Sequence, residues 1–239
     1  DDRRMAVEGR GELNKRISLI DVEEACKRLK NAKAAGEDGL IGELFKKGGK
    51  RMMICLWKIC EEVWRREVVP QDWMRGLCVP LYNGEGDRRN PSNYRGISLL
   101  SVAGKVFSAI INRRIMDWVE SSGGLVDEQG GFRPRRGCPD QLFSITEIVK
   151  NRAGKRTLTC FIDIKKAFDR VFRDGIWKRM RERGMGGKIE RVVRAWYRSI
   201  ESCVLVDGLK TDWFIVDVGV RQGCVLSPVL FSMYISPEN

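Results

Sequence analysis

Four short stretches of this chain carry strand composition, and its other apolar residues recur at helical spacing, so any sheet it builds is small and set among helices. The stretches are residues 76–82, residues 157–163, and the pair 203–207 and 213–218, which reads as a hairpin across 207–212. Ser18, with Asp21 three residues on, is an N-cap and capping partner for a helix running through Val22, Ala25, Cys26 and Leu29 and ending near Gly36 and Gly39. Residues 51–66 place Met53, Leu56, Trp57, Cys60, Val63 and Trp64 on one helical face, and Pro70 then breaks the pattern. Further helices are expected over 104–119, 141–150, 173–183, 187–200 and 225–235, with loops over 83–92 and 121–139.

The chain has no histidine, which removes Ser-His-Asp and Cys-His catalysis, histidine acid–base chemistry and most catalytic zinc sites. Catalysis by such a chain must lean on carboxylates and metal. Lys and Arg number 44 against 32 Asp and Glu, a formal charge of +12 that favours a polyanionic partner such as nucleic acid, although a solvated basic surface gives the same count. None of the eight cysteines forms a C-x-x-C pair, and most, Cys55 and Cys160 among them, have apolar sequence neighbours. They read as reduced, buried, structural residues. With no signal-peptide pattern and no apolar run long enough to span a bilayer, the expectation is an intracellular protein, in cytoplasm and nucleus, with no membrane partner.

Two segments carry chemistry. In Phe161-Ile162-Asp163-Ile164-Lys165-Lys166-Ala167-Phe168-Asp169 a carboxylate ends the expected strand and an aromatic ring follows a short turn. Such an aspartate can hold Mg²⁺, aided by a neighbouring backbone carbonyl, or can simply cap the next helix. In Arg221-Gln222-Gly223-Cys224-Val225-Leu226-Ser227-Pro228 a glutamine beside a glycine can meet a closely approaching substrate. The same residues also make an ordinary turn into a helix, with Ser227 as N-cap and Pro228 at the first helical position.

Five blocks in order make the chain similar to the reverse transcriptases, RNA-directed DNA polymerases, of non-long-terminal-repeat (LINE-like) retrotransposons. They are Lys33-Ala-Ala-Gly-Glu-Asp-Gly39, then Asn93-Tyr-Arg-Gly-Ile-Ser-Leu-Leu100 with Gly104-Lys105, then Glu128-Gln-Gly-Gly-Phe-Arg133, then the Asp163 segment, then the Arg221 segment. The resemblance implies that Asp163 is the first catalytic, metal-binding aspartate, with the Ile164 carbonyl as a second ligand, and that the cofactor is Mg²⁺ or Mn²⁺. It implies that Phe168 is the steric gate against a ribose 2′-hydroxyl, that Gln222 and Gly223 line the incoming nucleotide and template base, and that Arg95 holds the triphosphate. Arg133, Arg135 and Arg136 are expected to meet nucleic acid, and in the alternative reading as a non-catalytic remnant the arginine pairs at 88–89, 113–114 and 135–136 would grip phosphates. The implied partners are an RNA template, a DNA primer, deoxynucleoside triphosphates and further domains of a parent polyprotein. The implied reaction is two-metal nucleotidyl transfer during retrotransposition.

The expected fold is α+β, a partial right-hand polymerase with helical fingers and an incomplete antiparallel palm sheet packed on helices. The expected divisions are an N-terminal extension over 1–17, a fingers-like region over 18–156 and a partial palm over 157–239 that includes the Asp163 strand, with no thumb. The family's Phe/Tyr-x-Asp-Asp segment does not follow Ser227, and the adjacent pair Asp1-Asp2 stands at the wrong end of the order. The expectation is a fragment incomplete for catalysis, with Asp169, Asp174 and Asp217 as the carboxylates left to weigh. Gly96 and Glu37 stand where the family commonly has proline. A non-catalytic nucleic-acid-binding remnant and a host scaffold protein are the alternatives.

Overall fold

The computed structural model describes residues 11–236 of the chain. The expectations placed on Asp1, Asp2 and the last three residues, and part of the expected N-terminal extension, lie outside the described residues.

Nine α-helices and five strands are described, α+β as expected. Helix α1 (Leu19–Lys27) opens with the capping box read from the sequence: the Asp21 amide donates to Ser18 Oγ at 3.2 Å, and the Asp21 carboxylate accepts from the Ser18 amide at 2.9 Å. Helices α2 (Gly42–Lys47), α3 (Gly49–Arg66) and α4 (Gln71–Met74) follow, α3 stopping at Glu67 in the left-handed region, three residues before Pro70. The central helix is α5 (Val102–Ser121). Val106, Phe107, Ile110, Ile111 and Ile115 on it are at most 1% exposed, a spacing of three and four that turns one whole face inward. Phe107 stacks on Trp196, ring centroids 5.7 Å apart, and touches Trp73 at 5.6 Å.

The sheet is mixed. Strand β1 (Arg75–Tyr82) pairs antiparallel with β2 (Tyr94–Leu100) and, over its first four residues, parallel with β3 (Glu201–Val206). Pro80 sits beyond the β3 pairing, where its missing N–H costs no ladder bond on that side. Strand β3 returns through Asp207 and Gly208, both at positive φ, into β4 (Leu209–Lys210) and then β5 (Phe214–Ile215). Leu205 faces Lys210 while Ser202 faces Phe214, so residues 212 and 213 both stand opposite Cys203 and form a bulge. Because β1 pairs with β3, the regions expected on either side of residue 156 share one sheet and one core. Helices α7 (Arg173–Glu182), α8 (Lys188–Tyr197) and α9 (Ser227–Ile235) complete that core; α6 (Cys138–Asn151) buries no residue.

Several expectations are corrected. Residues 157–163 form no strand: no backbone hydrogen bond ties residues 157–165 to another described segment, and Leu158, Phe161 and Ile162 are 81% exposed or more. Composition reports fitness for a pleated, half-buried surface, but a strand exists only when a neighbour pairs with it, and the described residues supply none. The sheet is therefore not an antiparallel one built on the Asp163 strand. Strand β2, expected only as a sequence block, pairs along its whole length with Gly76 to Tyr82 of β1. Cys26, Cys60, Cys203 and Cys224 are buried, and burial raises the Cys26 thiol to about 11, but Cys55, Cys138 and Cys160 are exposed. Short apolar neighbours in sequence do not decide which face of a helix a cysteine occupies. All eight are free thiols. Leu226, not Ser227, is the N-cap of α9, and Ser227 Oγ instead donates to the Arg221 carbonyl at 2.7 Å.

Candidate functional site

The Gln222–Gly223 turn is pinned against both halves of the molecule. On one side the Ser98 amide of β2 donates to the Gln222 carbonyl at 3.1 Å, and Gly223, at φ +102°, lies so close to β2 that a Cβ there would stand 2.8 Å from the Ser98 carbonyl oxygen. Glycine is needed here twice over, for its backbone angle and for its bareness. On the other side the Val220 amide donates to the Phe168 carbonyl at 2.8 Å, and the Gly219 amide to the Val171 carbonyl at 2.9 Å. Phe168 packs its ring on Phe231 of α9 at 5.0 Å and on Phe132 at 6.0 Å. The Gln222 amide group reaches Asp169, Nε2 donating to Oδ1 at 3.2 Å.

Two arginines, buried Arg221 and half-buried Arg173, hold the limb that carries this turn. Arg221 donates to the Trp73 carbonyl at 2.9 Å and the Arg75 carbonyl at 2.8 Å, tying the turn to the root of β1. Arg173, the first residue of α7, donates to the carbonyls of Gly219, Tyr197 and Val216 at 2.9, 3.1 and 2.7 Å. Burial pushes the pKa of both guanidiniums down, the cost of charge taken from water, and backbone carbonyls offset it. Neither role showed in the sequence, because the partners are backbone atoms between 24 and 148 residues away.

A cleft of about 380 Å³ opens between the small residues Gly76, Cys78, Gly96 and Ser98 of the β1–β2 hairpin and a wall of Asp169 and Gln222. On the far side of the turn, Gly223 and Val225 border a second groove of about 670 Å³, lined by Arg28, Lys30, Lys33 and Lys105. Burial lowers the Lys105 pKa, with Asp38 pulling the other way, and no described carboxylate lies within ion-pairing distance of its ammonium. A half-buried cation without a salt bridge suits an anionic ligand.

The structure thus gathers Phe168, Gln222 and Gly223, with Arg95 exposed on β2 three residues from the clamping Ser98. Asp163 and Ile164 lie exposed in the irregular segment, joined to that group by no described hydrogen bond. Among the described residues no three Asp, Glu, Cys or His side chains gather to hold a metal, so Asp163 with the Ile164 carbonyl does not by itself make a Mg²⁺ or Mn²⁺ site. Asp174 sits in the first turn of α7 and Asp217 is exposed after β5.

The expected nucleic-acid arginines differ among themselves. Arg133 is bidentate to Glu120 at 2.9 and 2.8 Å and donates to the Val126 carbonyl at 3.0 Å, and Arg136 pairs with Asp127. Arg135 is exposed at positive φ with no described side-chain partner. Arg113 pairs with Asp21 and Glu24, and buried Arg114 donates to the Lys15 and Arg16 carbonyls at 2.7 and 3.0 Å while lying over the Trp64 ring, so that pair is part of the core. Arg88 lies over Tyr82 at 4.9 Å.

A family model described as "Reverse transcriptase (RNA-dependent DNA polymerase)" matches residues 85–237, and the chain belongs to that family. It is 26% identical over 220 residues to the RNA-directed DNA polymerase from the mobile element jockey of Drosophila funebris, a match covering 91% of this chain and 24% of the relative. It is 26% identical over 216 residues to the probable RNA-directed DNA polymerase from transposon X-element of Drosophila melanogaster, covering 90% and 24%. The transposon TX1 uncharacterized 149 kDa protein of Xenopus laevis is 26% identical over 223 residues, covering 92% and 17%. The resemblance drawn from the five sequence blocks therefore holds, and the chain spans about a quarter or less of the length of these curated relatives. Among the described residues no helix is long and apolar enough to cross a membrane.

Proposed function

We propose that this chain is the part of a retrotransposon reverse transcriptase that holds the RNA template and the incoming deoxynucleotide while RNA is copied into DNA. The observation that carries this reading is the Gln222–Gly223 turn, locked between β2 and the Phe168 segment with a cationic groove along its other side. A nucleotide against Gln222 and Phe168 would have Arg95 on the neighbouring strand for its phosphates, and a template strand in the groove would meet Lys33 and Lys105. Phe168, wedged on Phe132 and Phe231, is a fixed ring of the kind that can bar a 2′-hydroxyl. Right-hand polymerase architecture, fingers over 18–156 and palm over 157–239, is part of this proposal.

Binding without polymerisation is the expected behaviour of the chain by itself, because its described residues gather too few carboxylates for nucleotidyl transfer. The test is primer extension on an RNA template with Mg²⁺ and deoxynucleotides, comparing this chain with a version extended through the following coding stretch. Incorporation by the extended protein only, abolished by Asp163→Ala, supports the reading. Extension by the chain as given overturns its catalytic incompleteness, and no incorporation by either protein favours a non-catalytic binding remnant.

A further inference from the structure

We infer that Asp169 is a positioning residue, whose carboxylate fixes the orientation of the Gln222 amide and so decides which end of that amide faces a ligand. An ionised carboxylate has no proton to give, so the amide end against Asp169 Oδ1 is Nε2, as the 3.2 Å contact has it. The Gln222 backbone cannot swing to relieve the choice, since its carbonyl accepts from Ser98 and its neighbour Gly223 lies against the Ser98 carbonyl. Nor can Asp169 drift away, because its amide donates to the Lys166 carbonyl at 3.1 Å and Gly219 packs against its own carbonyl. With one Nε2 hydrogen committed to Asp169, Oε1 is the amide's free acceptor, and the glutamine offers it to whatever donor group a nucleotide brings.

That consequence rests on the reading of Gln222 as a ligand-facing group. It also gives Asp169 a use other than metal binding: one of its oxygens is engaged within the protein, and the described residues gather no set of three ligating side chains around it. The cleft around this pair also holds Cys78, Ser98, Arg173, Glu201 and Arg221; the two arginines are spent on backbone carbonyls and Glu201 on Arg75. Asp169 is therefore the charged group that orients the amide.

The test reads the amide directly and the nucleotide separately. In ¹⁵N-edited spectra of the whole chain, the Gln222 side-chain amide protons are expected to be displaced from the free-glutamine position by the bond to Asp169. The displacement should persist, reduced, in Asp169→Asn, which retains an acceptor oxygen, and the amide should take the position of a free glutamine in Asp169→Ala. In deoxynucleoside triphosphate titrations Asp169→Ala and Gln222→Ala are each expected to weaken affinity about 5-fold, the double variant no more than either alone, and Asp169→Asn to be nearly normal. Gln222 amide signals unmoved by Asp169→Ala, or additive losses in the double variant, would overturn the inference. Spectra that respond as expected in a chain that binds no nucleotide would uphold the positioning and sink the polymerase reading instead.

Discussion

The α5 core and the region over 127–167 both carry large apolar side chains in sequence, and these meet opposite fates in the fold. On α5 the apolar face closes against α1, α8 and α9, and Phe107 has no exposed surface. On α6 Leu142 and Phe143 are about two-thirds exposed, and the extended segment after it leaves Leu158 and Ile162 in solvent. Apolar periodicity states what an element could bury, and only a partner with a matching surface turns that into stability. The site falls on the boundary between the two: Phe168 and Asp169 are anchored to the core through residues 219 and 220, while Asp163, a few residues earlier, is not.

If this contrast is right, substitutions in the two regions should differ by several kcal/mol. Phe107→Ala should cost about 3–5 kcal/mol in denaturant-melt stability, from lost burial and the cavity left beside Trp73 and Trp196. Gly223→Ala should cost about 1–3 kcal/mol through backbone strain and its clash with the Ser98 carbonyl, and should weaken nucleotide binding with it. Acid sharpens the comparison further. Burial alone would raise the Asp21 pKa, but hydrogen bonds from Ser18 and the guanidiniums of Arg114 and Arg113 outweigh it and hold the carboxyl below its ordinary range. A depressed folded-state pKa means stability present above the unfolded value of about 3.9 and lost as pH falls through the folded one, so urea midpoints should drop in acid, less steeply in Asp21→Asn. At the other extreme, Leu142→Ser with Phe143→Ser on α6 should move stability by no more than about 0.5 kcal/mol. A large loss there would mean that α6 is covered after all.

How much of this was legible follows the same physics. The Ser18–Asp21 capping box and the α3 face are local patterns, and both stand in the fold as read. Asp207-Gly208 is a local turn signal and makes the hairpin. Strand β2 was not legible because Arg95, Gly96 and Ser98 break any apolar alternation; pairing with β1 makes it a strand. The segment ending at Asp163 was over-read for the converse reason. At the site, the Gln222–Gly223 block was visible as a motif, but its clamps at Ser98, Arg173 and Asp169 act across the fold and leave no mark on its own sequence.

The central claim is that the cationic groove beside Gly223 carries an RNA strand. Fluorescence anisotropy of a labelled single-stranded RNA, titrated with this chain over a salt series, tests it most directly against Lys33→Gln/Lys105→Gln. The account predicts binding that weakens steeply with salt, and a log–log slope reduced by about one to two in the double variant. Binding with an unchanged slope in that variant, or no binding at low salt, would contradict it.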